Sequence, residues 1–546
     1  MNHKTIGRLL SVVLMVVAIS LKAQTNTPNA PKLVVGIIVD QMRYDYLTRF
    51  WNDYSQDGFK RLINEGFNCE NNHFNYAPTY TGPGHASVYT GTTPAIHGII
   101  GNDWYDKKSK SMVYCVADQN YKSLGTNSTA GQMSPHRMVS TSIADQLRLH
   151  TQRKSKVIGI SVKDRGAILP AGHMANAAYW FEGKKDGNWI SSSYYMEELP
   201  KWVKKFNKNK SVENYKKDWN LLNPLTDYEE SVVDANTFEG TFKNEQLSSF
   251  PHQFTKLWEE NGGYDLIKSS PYGNSVVTDF SIEALRHEAL GMGDTTDFLA
   301  ISYSSTDYVG HMFGVDSKEI QDTYIRLDLE IARLLNELDE RLGEGNYSLF
   351  LTADHGAVQV PAYLKSVKVP AGLVDSKVIT TQINQFVLDR YGPDLIENIS
   401  NHQIFLNRSK IDEMGYDLKS VQESIALHII DLDGIYKVYT AYQMWQNEYV
   451  DGVEAIVQNG YNQKRSGDVM YVYHPAHISY SNYGSTHGSP MDYDTHVPLI
   501  FFGKGFNKGA TSVRTEIYDI APTIASMLMI EFPNGTTGSP IVEVLD

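Results

Sequence analysis

Six side chains able to bind a divalent cation each stand just past, or in the loop after, a run that reads as a buried strand: Asp40, Asp307, His311, Asp354, His355 and His487. Carboxylate and imidazole together suit Zn²⁺, and three protein ligands on each of two ions leave positions open for substrate. Taken singly, most have a plainer use. Asp40 alone reads as a helix cap, Asp307 with His311 as a surface pair one helical turn apart, and His487, in Ser-Thr-His-Gly, as an ordinary loop histidine. Asp354-His355-Gly356 is harder to explain in that way. Two adjacent polar residues that close the run Leu349-Phe350-Leu351-Thr352-Ala353 need partners to justify their place. Together the six point to a two-metal centre.

A nucleophile can be sought beside them. In Pro78-Thr79-Tyr80-Thr81-Gly82-Pro83-Gly84-His85 the prolines and glycines crowd around Thr81, and an apolar helix-like run comes next, which puts Thr81 at a helix N-terminus. Free amides and the helix dipole favour anions there. A hydroxyl held at that spot by zinc loses its proton readily and becomes a nucleophile. Without the metal ligands Thr81 would read as an N-capping threonine, as Thr79 and Thr90 do.

The elements that must position these groups alternate. Leu33-Val-Val-Gly-Ile-Ile-Val is a continuous apolar run of the kind buried on both faces of a parallel sheet, and it ends at Asp40. Similar runs begin at Lys156, Asp297, Tyr347 and Val497, with helix-like segments over Gly58 to Gly66, Lys318 to Leu342 and Thr515 to Ile530. Strand and helix in alternation predict an α/β fold with a mostly parallel central sheet flanked by helices, whose ligands gather beyond the carboxyl ends of the strands. Two stretches break the alternation, about 174–272 and about 367–481, and both read as cap insertions into one catalytic domain spanning 24–546. Neither has the composition of a linker.

Composition narrows the classes of function. Forty-nine Lys and Arg against 63 Asp and Glu give a net charge of −14, so there is no broad basic footprint for nucleic acid or an anionic membrane. Lys4 and Arg8 precede the apolar run Leu9 to Leu21, and Ala23 offers a small residue for cleavage. That run is shorter than the ~20 residues of a membrane span and fits a signal peptide over 1–23, with the mature protein exported to the periplasm or the medium and holding no stable membrane association. The two cysteines, Cys69 and Cys115, are too few for a thiolate zinc site, and their spacing does not say whether they pair.

Asp40, Thr81, Asp307-x-x-x-His311, Asp354-His355-Gly356 and His487 resemble, in order and setting, the two-zinc core of the alkaline phosphatase superfamily. Pro-Thr-x-Thr-x-Pro-x-His with His97-Gly-Ile-Ile-Gly-Asn102 looks like the branch shared by nucleotide pyrophosphatases/phosphodiesterases and flavobacterial phosphate monoesterases, over nearly the whole mature chain. The resemblance implies one Zn²⁺ on Asp307, His311 and His487. It implies a second on Asp40, Asp354, His355 and Thr81, with Thr81 as nucleophile and Asn102 on a non-bridging phosphoryl oxygen. Lys163-Asp-Arg165 resembles the Lys-x-Arg pair of the monoesterases, which diesterase relatives lack. Physical chemistry agrees, since a monoester is a dianion that two extra cations stabilise, whereas a diester carries one charge and a second substituent that they would crowd.

The expected activity is therefore an alkaline phosphatase that releases inorganic phosphate from small phosphate monoesters through a phosphothreonine. Two alternatives remain, a phosphodiesterase of the same branch and a non-catalytic exported binding protein on a phosphatase scaffold. A sulfatase is disfavoured, because Thr81 holds the nucleophile position and no Cys-x-Pro-x-Arg stretch is present.

Overall fold

A computed structural model of the chain describes residues 30–184 and 186–546; the signal-peptide expectation lies outside them. Leu33–Val39 is buried at every position, as its unbroken apolar sequence requires. It lies between two parallel neighbours, Asp297–Tyr303 and Tyr347–Thr352. The sheet continues in parallel through Val157–Ser161 to Ala177–Glu182. These five strands form the middle of a ten-stranded sheet. Its margins add antiparallel pairings, including Asn188–Ser192 on one side and Leu499–Gly503 on the other.

Register explains where polar residues collect. Ile38 pairs with Ser302 and Thr352, and Ser302 pairs with Ser161. Because the strands run in one direction, the residues just past them, Asp40, Lys163, the segment from Ser304 and Asp354, emerge along one edge.

Helices cover both faces. Successive strand residues face opposite sides, so Phe298 and Tyr303, five apart, point away from each other. Phe298 meets Tyr89 of the helix Thr81–Thr90, with ring centroids 6.0 Å apart. The Tyr303 hydroxyl lies 3.0 Å from Thr278 Oγ1 of the helix Tyr272–His287. The helix Lys318–Leu342 starts on a Ser317 cap that accepts the Ile320 N–H at 3.1 Å.

Several sequence expectations need correction. The insertion assigned from residue 174 begins too early, because Ala177–Glu182 and Asn188–Ser192 are strands of the central sheet. Their aromatic residues, Trp180, Phe181 and Trp189, are buried there rather than in a cap. The segment Thr515 to Ile530 is a short strand, Thr515–Glu516, followed by a 3₁₀ turn and the helix Ile520–Leu528. Strand Leu499–Gly503 is antiparallel to its neighbours. Cys69 and Cys115 are both free and buried.

Within 367–481 lies an antiparallel sheet in the order Ile396–Ser400, Gln403–Leu406, Val469–Tyr473, Ile435–Thr440. Ile383, Ile404, Ile425 and Val469 belong to a separate apolar cluster beneath it. This unit leans on the loops that flank Thr81. Asn401 Nδ2 donates to Asp103 O at 2.6 Å, and Asn459 Nδ2 donates to Asn75 O at 2.9 Å. No helix among the described residues is long and apolar enough to cross a membrane.

Candidate active site

The carboxyl edge of the sheet brings the six expected ligands together. Asp307 and His311 sit four apart on the helix Ser305–Phe313, and that spacing places both on one face. His311 Nε2 is 3.2 Å from Asp307 Oδ1, and His487 Nε2 is 3.6 Å from the same oxygen. In the other set His355 Nε2 lies 3.6 Å from Asp40 Oδ1 and 3.7 Å from Asp354 Oδ1. Two ligands 2.0–2.1 Å from one tetrahedral ion stand about 3.3 Å apart, so both sets have nearly the spacing that an ion needs. The sets adjoin. Asp307 also falls within 4.8 Å of the ligand atoms of Asp40 and His355, and the His355 and His487 rings stack with centroids 3.4 Å apart.

The histidines are oriented as ligands. His311 Nδ1 faces Ser485 O at 2.8 Å, His355 Nδ1 faces Gly356 O at 2.9 Å and His487 Nδ1 faces Thr79 O at 2.6 Å. A carbonyl only accepts, which assigns a proton to Nδ1 in all three and turns each Nε2 toward the carboxylates; burial opposes charge on His311, but Asp307 outweighs it and holds that imidazole above its ordinary pKa. Burial holds His355 and His487 below their ordinary pKa, in the neutral form that binds metal.

Asp40 caps no helix. Its Oδ1, together with Asp354 Oδ2 and His355 Nε2, is buried without a hydrogen-bond partner. Burial, with Asp354 nearby, pushes the Asp40 carboxyl well up. At Asp307 burial acts in the same direction, but His311 and Lys163 outweigh it and hold the carboxyl well down. Three buried carboxylates and three imidazoles that turn Nε2 toward them fit divalent cations.

Thr81 is the first residue of its helix, is buried, and does not cap it, since Tyr80 stands at the cap position with no side-chain capping bond. A Cβ on residue 84 would lie 2.4 Å from Asp354 O, so Gly84 is what allows this helix to start against the ligand loop. Arg165 Nη2 lies 3.4 Å from Thr81 Oγ1, and Arg165 Nη1 donates to the Tyr114 hydroxyl at 3.1 Å. Asn102 Oδ1 accepts the Gly82 N–H at 2.7 Å, which leaves its Nδ2 to donate. Lys163 takes a position that its sequence did not announce. Its Nζ donates to Asp40 Oδ2 at 2.8 Å and to Asp307 Oδ2 at 2.6 Å, one carboxylate from each set. Burial opposes its charge, but Asp307 and Asp40 outweigh that and hold the ammonium above its usual pKa.

Four supporting residues went unassigned in the sequence. The Gln41 N–H donates to Asp354 Oδ1 at 3.1 Å, and its Nε2 donates to Asp307 Oδ1 at 2.7 Å, so one residue also holds a ligand from each set. His85 Nδ1 faces Thr81 O at 2.9 Å, with Asp354 Oδ2 3.2 Å away, and its Nε2 lies 2.9 Å from Ser302 Oγ. Thr306 Oγ1 donates to Asp40 O at 2.5 Å. Tyr114 donates to Asp164 Oδ1 at 2.5 Å while receiving Arg165. Adjacency to Asp40 was the only signal for Gln41, and position in the Pro-x-His stretch the only one for His85.

Comparison with known proteins agrees with this arrangement. The family model for type I phosphodiesterase / nucleotide pyrophosphatase matches residues 34–497. Alkaline phosphatase PhoV of Synechococcus elongatus is 43% identical over 516 residues, covering 94% of this chain and 93% of that protein. Alkaline phosphatase PafA of Elizabethkingia meningoseptica is 40% identical over 537 residues, covering 97% and 98%. The crystal structure of wild-type PafA superposes with a TM-score of 0.91, covering 95% of this chain and 100% of that one. A Myroides odoratus protein named calcium-transporting ATPase is 46% identical over 522 residues, covering 94% and 95%.

Proposed function

Because the chain belongs to the type I phosphodiesterase / nucleotide pyrophosphatase family, within the alkaline phosphatase superfamily, we propose that it is an exported two-zinc alkaline phosphatase working through a phosphothreonine. It is a phosphate monoester hydrolase, as its alkaline phosphatase relatives indicate. The observation that carries the finer reading is the meeting of Arg165 and Lys163 with Thr81 and both ligand sets.

The monoester enters as a dianion. Asn102 Nδ2 and the Arg165 guanidinium bind its non-bridging oxygens, with Lys163 as the second cation, and these fixed donors hold phosphorus against Thr81. Thr81 Oγ attacks phosphorus in line with the ester oxygen, the bond from phosphorus to that oxygen breaks, and the alcohol departs as Thr81 takes the phosphoryl group. Water then attacks the phosphothreonine, inorganic phosphate leaves, and Thr81 Oγ recovers its proton. Divalent cations bound by Asp307, His311 and His487 and by Asp40, Asp354 and His355 would supply the Lewis acidity that lowers the pKa of hydroxyl and water and takes up charge on the leaving oxygen. Three histidines among six ligands favour zinc over magnesium or calcium. The Leu9 to Leu21 run behind Lys4 and Arg8 supports export.

Thr81→Ala should abolish turnover of p-nitrophenyl phosphate while metal content stays near two ions per chain. Retained activity would remove the nucleophile assignment. The family model's description favours a diesterase as the second reading. Lys163→Ala with Arg165→Ala should cut monoester hydrolysis much more than diester hydrolysis, and an equal loss on both would favour the diesterase.

A further inference from the structure

A cavity of about 160 Å³ opens beside the ligand loop, between that loop and the antiparallel sheet of the second insertion. Tyr80, the residue before Thr81, and His487 form part of its wall, their rings edge to face with centroids 5.7 Å apart. Tyr471 and Tyr473 of the strand Val469–Tyr473 line it from the insertion, as do Met470 and Val472 from the other face of that strand. Asp494 completes the lining. Its Oδ2 accepts the N–H groups of Gly488 and Ser489 at 3.0 and 2.7 Å, while its buried Oδ1 has no hydrogen-bond partner.

An apolar cavity of about 150 Å³ is enough to hold benzene, so this partly open pocket, lined by polar as well as apolar groups, has room for a single ring. Tyrosine rings suit an aromatic guest. The location bears on which part of a substrate the guest is, because His487 is the one candidate metal ligand in its wall. With Thr81 assigned to the Asp40 set, the leaving oxygen falls to the set containing His487, and His487 walls the cavity.

We infer that this cavity is a leaving-group subsite for an aromatic ring, so that the favoured substrates are aromatic phosphate monoesters. The inference rests on the monoesterase reading. Through its second insertion the chain then reads the alcohol, while the sheet edge reads the phosphate.

The test compares kcat/KM for 2-(4-hydroxyphenyl)ethyl phosphate and ethyl phosphate, whose leaving alkoxides are of similar basicity, on the metal-loaded full chain. Burying one ring should favour the aromatic ester at least about tenfold. Val457→Trp, on the helix Gly452–Gly460, fills the cavity away from the metal ligands. It should bring the ratio near one and leave ethyl phosphate turnover unchanged. Should that variant fail to fold, the wild-type ratio still decides. Equal kcat/KM for the two esters in the wild type overturns the subsite and leaves the monoesterase standing, whereas no turnover of either ester removes both.

Discussion

Gly310 lies between Asp307 and His311 on the helix Ser305–Phe313, and its replacement by alanine tests how the two ligand sets are held together. Helix propensity alone predicts that Gly310→Ala stabilises the protein by about 1 kcal/mol. The structure predicts the opposite. A Cβ at this position would lie 1.9 Å from Gln41 Oε1 and 3.0 Å from its Cδ. Gln41 has little freedom to retreat, because its backbone sits at φ +65° with its N–H bonded to Asp354. Its side chain must therefore swing away and give up the bond from Nε2 to Asp307 Oδ1. A hydrogen bond to a charged group contributes about 1.5–3 kcal/mol, which against the helix gain leaves a net loss of about 0.5–2 kcal/mol. Loss of a residue that orients a metal ligand typically weakens metal binding about 10–100-fold. Zinc affinity by chelator competition and thermal denaturation of the loaded protein are the readouts. Gln41→Ala should reproduce the defect, and in that background Gly310→Ala should be neutral or stabilising, since no amide remains for its Cβ to meet. Gly310→Ala that melts higher and binds zinc as tightly as the wild type would refute the reasoning.

Two further outcomes are expected. Lys163→Ala removes the ammonium that bridges Asp40 and Asp307, so the metal-free protein should melt at a markedly lower temperature while the metal-loaded protein changes much less; equal shifts in both would show that Lys163 does not offset those carboxylates. Stability should also fall as pH rises from about 6.5 towards 9. Burial, with Glu319 beside it, pushes Glu239 up to about 9, so over that interval the unfolded chain has already ionised this group and the native state resists doing so. Burial lowers His252, but bonds to Glu245 and Glu319 outweigh it and raise its pKa to about 9, so what it contributes is full below its ordinary 6.5 and is lost as pH climbs through 9. Glu239→Gln should flatten the decline measured by thermal melts, and an unchanged slope would rule out its part.

The edge that carries the candidate site was legible in the sequence because its signals are local. Leu33–Val39, Asp297–Tyr303 and Tyr347–Thr352 announce buried strands through unbroken apolar runs, and a parallel sheet obliges the residues just beyond each of them to share one edge. Asp40, Asp307 with His311, and Asp354-His355 read as ligands only in combination, and the prolines and glycines around Thr81 marked its helix start. The strands after residue 174 escape the sequence because Ala177–Glu182 and Asn188–Ser192, toward one side of the sheet and antiparallel to each other, have the same aromatic composition as a cap. Tertiary structure alone decided how the ligand sets are joined. Gln41 meets Asp354 across 313 positions of chain, and Lys163 reaches carboxylates 123 and 144 positions away, at distances fixed by strand register and loop path. It decided the tautomers of His487 and His311 too, because the carbonyls of Thr79 and Ser485 stand far along the chain from those rings. Sequence determines which groups can reach an edge, whereas a hydrogen bond depends on tenths of an ångström that only the packed chain fixes.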